Sequence, residues 1–368
     1  MRSASAKSRE PLRLALATLL ALVGCKDDTK PTPSRPASTT SAAVVSSATT
    51  SPKVSPPAAA IVFVSERVSP KAAFSVSTVG PPKPGLIARS DDDVFPAASG
   101  EAALFVQSAG DEGPEWLSRL EGGALVDVGP RSRYVRNPTW LGSRVVVEAS
   151  YQSFRDLFLL SLDGTKVRLT KSDKGAFEPH AHGRKVTYVS NADTDTEVFS
   201  LEVGEDGKPS EPKRLTWSKG FDKSPRWSPD GTQIAFLSTR KDRVPRVFLM
   251  QPDGGKPRPL RSSGAEGALA EQDLRWSPDG ERIAFVERLP GKKAYLHVVQ
   301  VTDGTVEYRS EGDVLDEQPS WSPDGEWLAF SSTRNDNSDI YLIRRDGKGL
   351  RRLTRDPAAD WLPRWNAP

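Results

Sequence analysis

Cysteine is almost missing from this chain: Cys25 is the one cysteine in 368 residues. No intramolecular disulfide and no cysteine-built metal centre is therefore open to it. Histidine is nearly as scarce, with His180, His182 and His297. The first two are close in sequence and the third is far along the chain, so a shared histidine metal site is not expected. No Gly-x-Ser-x-Gly elbow and no Gly-x4-Gly-Lys-Ser/Thr loop occurs, which removes the sequence signatures of an α/β-hydrolase nucleophile and of a phosphate cradle. An excess of one charge is also lacking. The formal net charge is +3, and Arg2, Lys7, Arg9, Arg13 and Glu10 all lie in the first 24 residues, so without that segment it falls to 0. Nothing remains to attract nucleic acid or an acidic membrane surface.

What is present starts with those N-terminal cations, which precede an apolar run from Leu14 to Val23. A run of that length is too short to span a bilayer as a stable helix and reads as a secretory signal. Leu22-Val23-Gly24-Cys25 resembles the lipobox of bacterial lipoproteins, which implies diacylglycerol on the sulfur of Cys25 as the first mature residue. Lys26 rather than Asp follows; by resemblance to the sorting rule of enterobacterial lipoproteins, this implies the outer membrane, inner leaflet, facing the periplasm. Residues 26–59 are dense in Pro, Ser, Thr and Ala and hold hardly any large apolar side chain. Such a segment cannot offset its ordering entropy and is expected to be a tether with a reach of roughly 30 to 35 Å. The expected organisation is a signal over 1–24, a lipidated cysteine and tether over 25–59, and one folded body over 60–368.

That body is repetitive. Trp-Ser-Pro-Asp-Gly stands at 227–231, 276–280 and 321–325, each followed by an apolar run: Ile234-Ala235-Phe236, Ile283-Ala284-Phe285 and Leu328-Ala329-Phe330. Similar runs begin at Ile61, near Ala103, at Val145 and at Val186, giving seven starts at steps of about 41 to 49 residues. After each comes a second strand, then in five repeats an Asp-Gly turn (163–164, 206–207, 253–254, 303–304, 346–347), then a third strand such as Arg214-Leu215-Thr216. Asp-Gly between apolar strands is a strong hairpin signal because glycine takes the positive φ of the turn. A period near 40 to 50 residues with four short strands predicts the blades of a β-propeller. The fold class is all-β, seven four-stranded antiparallel blades, with six as the alternative if 61–92 were an accessory segment. Pro363-Arg364-Trp365 has no strand after it and Ile61-Val62-Phe63-Val64 none before it. Pairing the two closes the ring and removes the exposed edges.

Pro-x-Trp-Ser-Pro-Asp-Gly, Ile-Ala-Phe-x-Ser-x-Arg, Ile-Tyr-Leu and Arg-Leu-Thr together resemble the propeller repeat of the TolB-like family. The match is close at 225–240 and 319–354, and weaker in the N-terminal blades, where Ala97-Ala98-Ser99-Gly100, Leu141-Gly142-Ser143 and Ala181-His182-Gly183 replace the full turn. The α/β domain that TolB carries ahead of its propeller is not expected between Cys25 and Ile61. The resemblance is to the propeller module alone, and a place in the Tol-Pal system is not implied.

Acids recur five residues ahead of the Trp position, at Asp93, Asp222, Glu271, Asp316 and Asp360, and arginines follow the Ile-Ala-Phe strand at Arg67, Arg240, Arg288 and Arg334. Charge-assisted pairs between adjacent blades would hold the joints of the ring. The resemblance adds a functional reading, in which Asp222, Arg240, Asp316, Arg334, Asp360 and Arg67 rim a channel mouth that receives a peptide or protein loop. The segments 191–197 and 335–339 alternate Asn, Asp and Thr or Ser, but occupy hairpin loops where those residues are favoured for backbone reasons, so no calcium site is expected. The expected function is a membrane-anchored, extracytoplasmic, monomeric binding scaffold for an envelope protein or peptide. It is expected not to be an enzyme and to carry no catalytic residue, cofactor or metal. The alternative is a carbohydrate-active enzyme or lyase that uses one mouth as a pocket.

Overall fold

The computed structural model describes residues 59–366, apart from 89–92, 99–103, 110–112, 122–123, 130, 152–153, 193–194, 263 and 265–266. The expected signal, Cys25 and the tether as far as residue 58 lie outside the described residues. The strands form seven four-stranded antiparallel sheets. Six use consecutive strands: β4–β7 over 93–127, β8–β11 over 135–168, β12–β15 over 177–214, β16–β19 over 222–259, β20–β23 over 270–309 and β24–β27 over 316–352, which are blades 2 to 7. Blade 1 joins the two ends of the chain. Its order is β28 (Asp360–Asn366), β1 (Ala60–Ser65), β2 (Ala72–Ser77), β3 (Gly85–Ala88).

The closing register sets Ile61 opposite Trp365 and Ser65 opposite Asp360, with a bulge between Val62 and Val64. The first strands of the blades then touch in ring order: β4 (Asp93–Ala98), β8 (Val135–Leu141), β12 (Phe177–His182), β16 (Asp222–Trp227), β20 (Ala270–Trp276), β24 (Asp316–Trp321), β28 and back to β4. The result is a seven-bladed ring around a central channel, closed by a strand rather than by a loop.

Apolar side chains hold the joints between blades. Phe63, Ile61 and Trp365 of blade 1 pack with Trp327, Ala329 and Leu342 of blade 7; Leu237 and Leu249 of blade 5 pack with Ile283 and Phe285 of blade 6; Tyr188 and Val186 of blade 4 pack with Leu157 and Leu159 of blade 3. The small Ala235, Ala284 and Ala329 are fully buried, which lets neighbouring sheets approach while the adjacent phenylalanines supply the buried area.

The Ser-Pro-Asp-Gly turns are tied by their own side chains. Asp230 Oδ1 accepts from the Ser228 hydroxyl at 2.6 Å and from the Thr232 amide at 3.0 Å, and Gly231 sits at φ +69°. Ser277 with Asp279 and Ser322 with Asp324 repeat the arrangement. Blades 3 and 4 lack the motif and reach the same topology with two-residue turns. Leu141 pairs directly with Arg144 and His182 with Lys185, and Gly142 and Gly183 take the positive φ those turns demand.

Candidate functional site: the inner strands and the channel

Six of the seven inner strands carry a bulge at the residue that precedes the Pro-x-Trp position of the repeat. Asn137, Glu178, Ser224, Asp273, Gln318 and Leu362 all have φ between 52° and 57°, and the register to the second strand shifts across each of these places, the closing blade included, where Trp361 and Arg364 face Val64 and Val62. A left-handed residue that is not glycine costs on the order of 1 kcal/mol, so six in equivalent places mark a backbone shape imposed by the ring. Downstream of the bulge the strand alternates. Pro225 and Trp227 are buried while Arg226 between them is half-buried, and the same holds for Pro363-Arg364-Trp365 and Pro319-Ser320-Trp321. Period-two alternation therefore turns the middle residue toward the axis. In blades 3 to 7 and 1 these residues are Thr139, His180, Arg226, Arg275, Ser320 and Arg364. They stand at one level: Arg226, Arg275 and Ser320 lie opposite Ala235, Ala284 and Ala329 of the second strand, and Arg364 lies opposite Val62.

What this residue is decides how its blade joins the next. Thr139 Oγ1 accepts from the Ala181 amide at 3.2 Å, His180 Nδ1 from the Trp227 amide at 3.1 Å, and Ser320 Oγ from the Trp365 amide at 3.2 Å. An arginine has no acceptor to offer. Where Arg226 and Arg275 stand, the joint is made instead by the tryptophan of the following blade. Trp276 Nε1 donates to the Arg226 carbonyl at 3.0 Å and Trp321 Nε1 to the Arg275 carbonyl at 3.1 Å. At the other kind of joint the indoles of Trp227 and Trp365 are buried without a hydrogen-bond partner among the described residues.

The bulge residues add a second tier. Glu178 accepts from the Ser224 amide at 2.6 Å, and Gln318 Oε1 from the Leu362 amide at 2.8 Å. No hydrogen bond to the Asp273 side chain is seen among the described residues. His180 is held neutral: burial pushes its pKa well below the ordinary value, and the Arg226 and Arg275 guanidiniums and His182 add to the effect. A neutral ring is what its acceptor role at Nδ1 requires.

The sector of blades 5, 6 and 1 consequently presents three guanidiniums to the channel. Each gives Nη1 to the carbonyl of the residue before it, Arg226 to Pro225, Arg275 to Leu274 and Arg364 to Pro363, all at 2.9 Å. No carboxylate lies within ion-pair distance of any of them among the described residues. Burial, followed by Arg275, pushes Arg226 down to about 10; burial, followed by Arg275, pushes Arg364 down to about 9. Asp273 and Glu178 oppose these shifts from farther off.

The rim residues read from the sequence form clasps inside single blades, not between adjacent ones. Arg240 Nη2 donates to Asp222 at 2.7 Å, Arg334 to Asp316 at 2.6 Å and Arg67 to Asp360 at 2.6 Å. The Nε of each arginine donates to a serine, Ser238, Ser332 and Ser65. The guanidiniums of Arg240, Arg334 and Arg67 also lie over the aromatic pairs Phe236/Phe248, Phe330/Tyr341 and Phe63/Phe74. The three carboxylates are fully buried and the arginines are 16 to 20% exposed. Glu271 and Arg288 do not follow the pattern. Arg261 from blade 5 takes Glu271 and Glu287 and covers Phe285, and Arg288 turns to Glu317 of blade 7. Of Asp93 only the strand backbone is described.

A second set of clasps falls on the repeated Arg-Leu-Thr, which the sequence marked only as a strand. Asp156 takes Arg168 and Thr170, Glu197 takes Arg214 and Thr216, and Asp339 takes Arg352 and Thr354. The channel arginines were likewise in view as Pro-Arg-Trp and Leu-Arg-Trp. The three histidines do not come together. His180 and His182 are on β12, the latter beside the Trp227 ring, whereas His297 is buried in blade 6, stacked on Phe285 and bonded to Glu287 at 3.1 Å. No cluster of three or more His, Cys, Asp or Glu suited to a metal occurs among the described residues.

Residues 271–368 match the model of the TolB beta propeller domain family. TolB from Acinetobacter baumannii is 17% identical at a TM-score of 0.53, over 83% of this chain and 66% of that one. A puromycin hydrolase is 16% identical at a TM-score of 0.62, over 82% of this chain and 53% of that one. Over 100 residues the chain is 30% identical to the uncharacterized peptidase YuxL of Bacillus subtilis strain 168, which is 27% of this chain and 12% of that protein. The chain thus carries a TolB-like propeller and spans only part of these relatives. The expectation that it is not an enzyme is corrected by the same findings. A hydrolase shares this architecture and a stretch of 100 residues is 30% identical to a peptidase, and the missing nucleophile elbow on which that expectation rested says nothing about chemistry done elsewhere on a propeller or beside it.

Proposed function

We propose that this chain is a cell-envelope protein, tethered at Cys25 to the inner leaflet of the outer membrane, whose propeller channel receives a peptide or an exposed segment of a protein. The observation that carries the reading is the character of the channel wall. Past the bulge, the buried positions of the inner strands are apolar, as with Pro225 and Trp227, whereas the axial positions hold Thr139, His180, Arg226, Arg275, Ser320 and Arg364, and half of these spend no side-chain group on the neighbouring blade among the described residues. Thr139, His180 and Ser320 seal joints, so it is the three arginines whose side chains are left for a ligand. The clasps Arg240–Asp222, Arg334–Asp316 and Arg67–Asp360 stand where the inner strands begin, with the arginine side chains 16 to 20% exposed. The peptidase YuxL and the TolB propeller fit a peptidic ligand, and the apolar run with Leu22-Val23-Gly24-Cys25 supports the envelope location.

The test is site-specific photocrosslinking of the full chain in envelope preparations, with the photoreactive residue at Ser320 or Thr139 on the axis and, as control, at Leu350 on the outer edge. Adducts with envelope polypeptides from the axial positions and none from Leu350 are expected. Adducts from Leu350 alone would move recognition to the outside of the ring and end this reading. Metabolic labelling with a lipid probe, compared with Cys25→Ala, checks the anchor separately.

A further inference from the structure

We propose that the three channel arginines, Arg226, Arg275 and Arg364, form a carboxylate-binding site, filled by the acidic side chains or the C-terminal carboxylate of the peptide that enters the channel. The peptide as source rests on the function proposed above; the carboxylate site itself does not.

The case begins with what each guanidinium leaves undone. An arginine carries five N–H donors in a planar fork. In each of the three, one nitrogen is spent on the carbonyl of the preceding residue, and no other hydrogen bond is made among the described residues. That shared contact orients all three alike, so the unused edges turn to the axis. Arginines elsewhere in the ring are treated differently. Arg67, Arg240 and Arg334 each meet a buried aspartate, a serine hydroxyl and two aromatic faces. The fold therefore has an established way to neutralise an arginine, and does not apply it at these positions.

The second consideration is charge. The three cations belong to blades 5, 6 and 1 and are coupled: Arg275 bears on Arg226, and both bear on Arg364. The carboxylates that act against them are Asp273 and Glu178, and Glu178 is already engaged by the amide and hydroxyl of Ser224. Desolvated cations of like sign are costly to hold together. An oxyanion on the axis reverses the sign of that interaction, and a carboxylate matches the guanidinium fork in two-point geometry. The third consideration is how the space is kept. The two joints that flank Arg275 are made by the Trp276 and Trp321 indoles and main-chain carbonyls, which frees both arginine side chains from any structural duty. Across the ring, Thr139 and His180 are committed to such duty, and neither is a cation.

Titration calorimetry on the full chain tests this with four probes: end-blocked hexaglutamate, end-blocked hexaglutamine, tricarballylate and inorganic phosphate. Hexaglutamate is expected to bind and to weaken as salt is raised. In the Arg226→Gln/Arg275→Gln/Arg364→Gln variant its affinity falls at least tenfold, with no loss of thermal stability because mutual repulsion is relieved. If the triple variant does not fold, Arg275→Gln alone is expected to lose affinity and Arg275→Lys to fall between it and the wild type. Binding of tricarballylate without hexaglutamate upholds the carboxylate site and contradicts a peptide as its source. Phosphate binding alone, no binding of any carboxylate, or equal hexaglutamate affinity in wild type and variants overturns the site. Equal binding of hexaglutamine and hexaglutamate, unchanged in the variants, overturns the site and leaves the peptide reading standing.

Discussion

Blades 3 and 4 and blades 5 to 7 solve one construction problem in two ways. In the first pair the turn after the inner strand is two residues long, and the axial side chains Thr139 and His180 are consumed in sealing the joint to the next blade. In the second group the Ser-Pro-Asp-Gly turn is present. At two of its joints Trp276 and Trp321 do the sealing through their indoles, and the axial Arg226 and Arg275 are released to the channel. The difference teaches that the Trp of the repeat is more than an apolar filler. Its N–H lets an axial position be given over to a residue that cannot accept a hydrogen bond. Ser320 shows that the motif does not force the outcome. It is axial, it is an acceptor, and its joint to blade 1 is of the first kind, with the Trp365 indole left over.

The comparison can be broken most severely at the closing blade, because both groups depend on it. Ending the chain before Asp360 removes β28, exposes β1 along its whole length and takes Trp365 out of the joint between blades 1 and 7. Loss of cooperative thermal unfolding and of protease resistance is expected. Next in size is Asp316→Ala, which leaves Arg334 without its buried partner; urea unfolding is expected to show a loss of about 3 kcal/mol or more. Arg184→Ala, in the two-residue turn of blade 4, breaks a pair whose partners are about half exposed, and is expected to change stability by less than about 1 kcal/mol.

A finer cut compares the tryptophans themselves. Trp276→Phe removes a donor and leaves a carbonyl unpaired, whereas Trp227→Phe removes an N–H that has no partner. The first is expected to cost about 1 kcal/mol more than the second, measured by denaturant unfolding. A last effect concerns pH. The folded-state pKa of His180 lies below that of the unfolded chain, so the unfolded state takes up the proton first. The stability this group contributes is present above about pH 6.5 and is lost as the pH falls. His180→Gln keeps an acceptor for the Trp227 amide but cannot titrate. The wild type is expected to lose more stability than this variant between pH 7 and pH 5, measured by denaturant unfolding at the two pH values.

Much of the architecture was legible in the chain because its signals are local and repeated. Ile-Ala-Phe runs, Asp-Gly turns and the orphan strand at 363–365 are enough to count blades and close the ring. The joints were not legible, for two physical reasons. The bulge that aims the axial residue is borne by Asn137, Glu178, Ser224, Asp273, Gln318 and Leu362, which share no side-chain property; their left-handed backbone comes from the register between strands, not from glycine. And the partner of each axial acceptor, Thr139, His180 and Ser320, is a main-chain amide 42 to 47 residues away. The rim acids and arginines were found because they recur at fixed spacing, but the spacing could not tell a clasp within a blade from one between blades. Arg288, in step with Arg240 and Arg334, goes to Glu317 because Arg261 has already taken Glu271.

Amide hydrogen exchange at four equivalent residues tests most directly whether the joints are of two kinds. The Trp227 and Trp365 amides donate to His180 and Ser320, while the amides of Trp276 and Trp321 face arginine side chains that cannot accept. Exchange at Trp227 and Trp365 is expected to be slower by roughly tenfold, a difference of about 1.4 kcal/mol in protection. Equal rates at all four would mean that the axial residue does not decide how the blades are joined, and the division of the ring into a sealed and a receptive sector would fall with it.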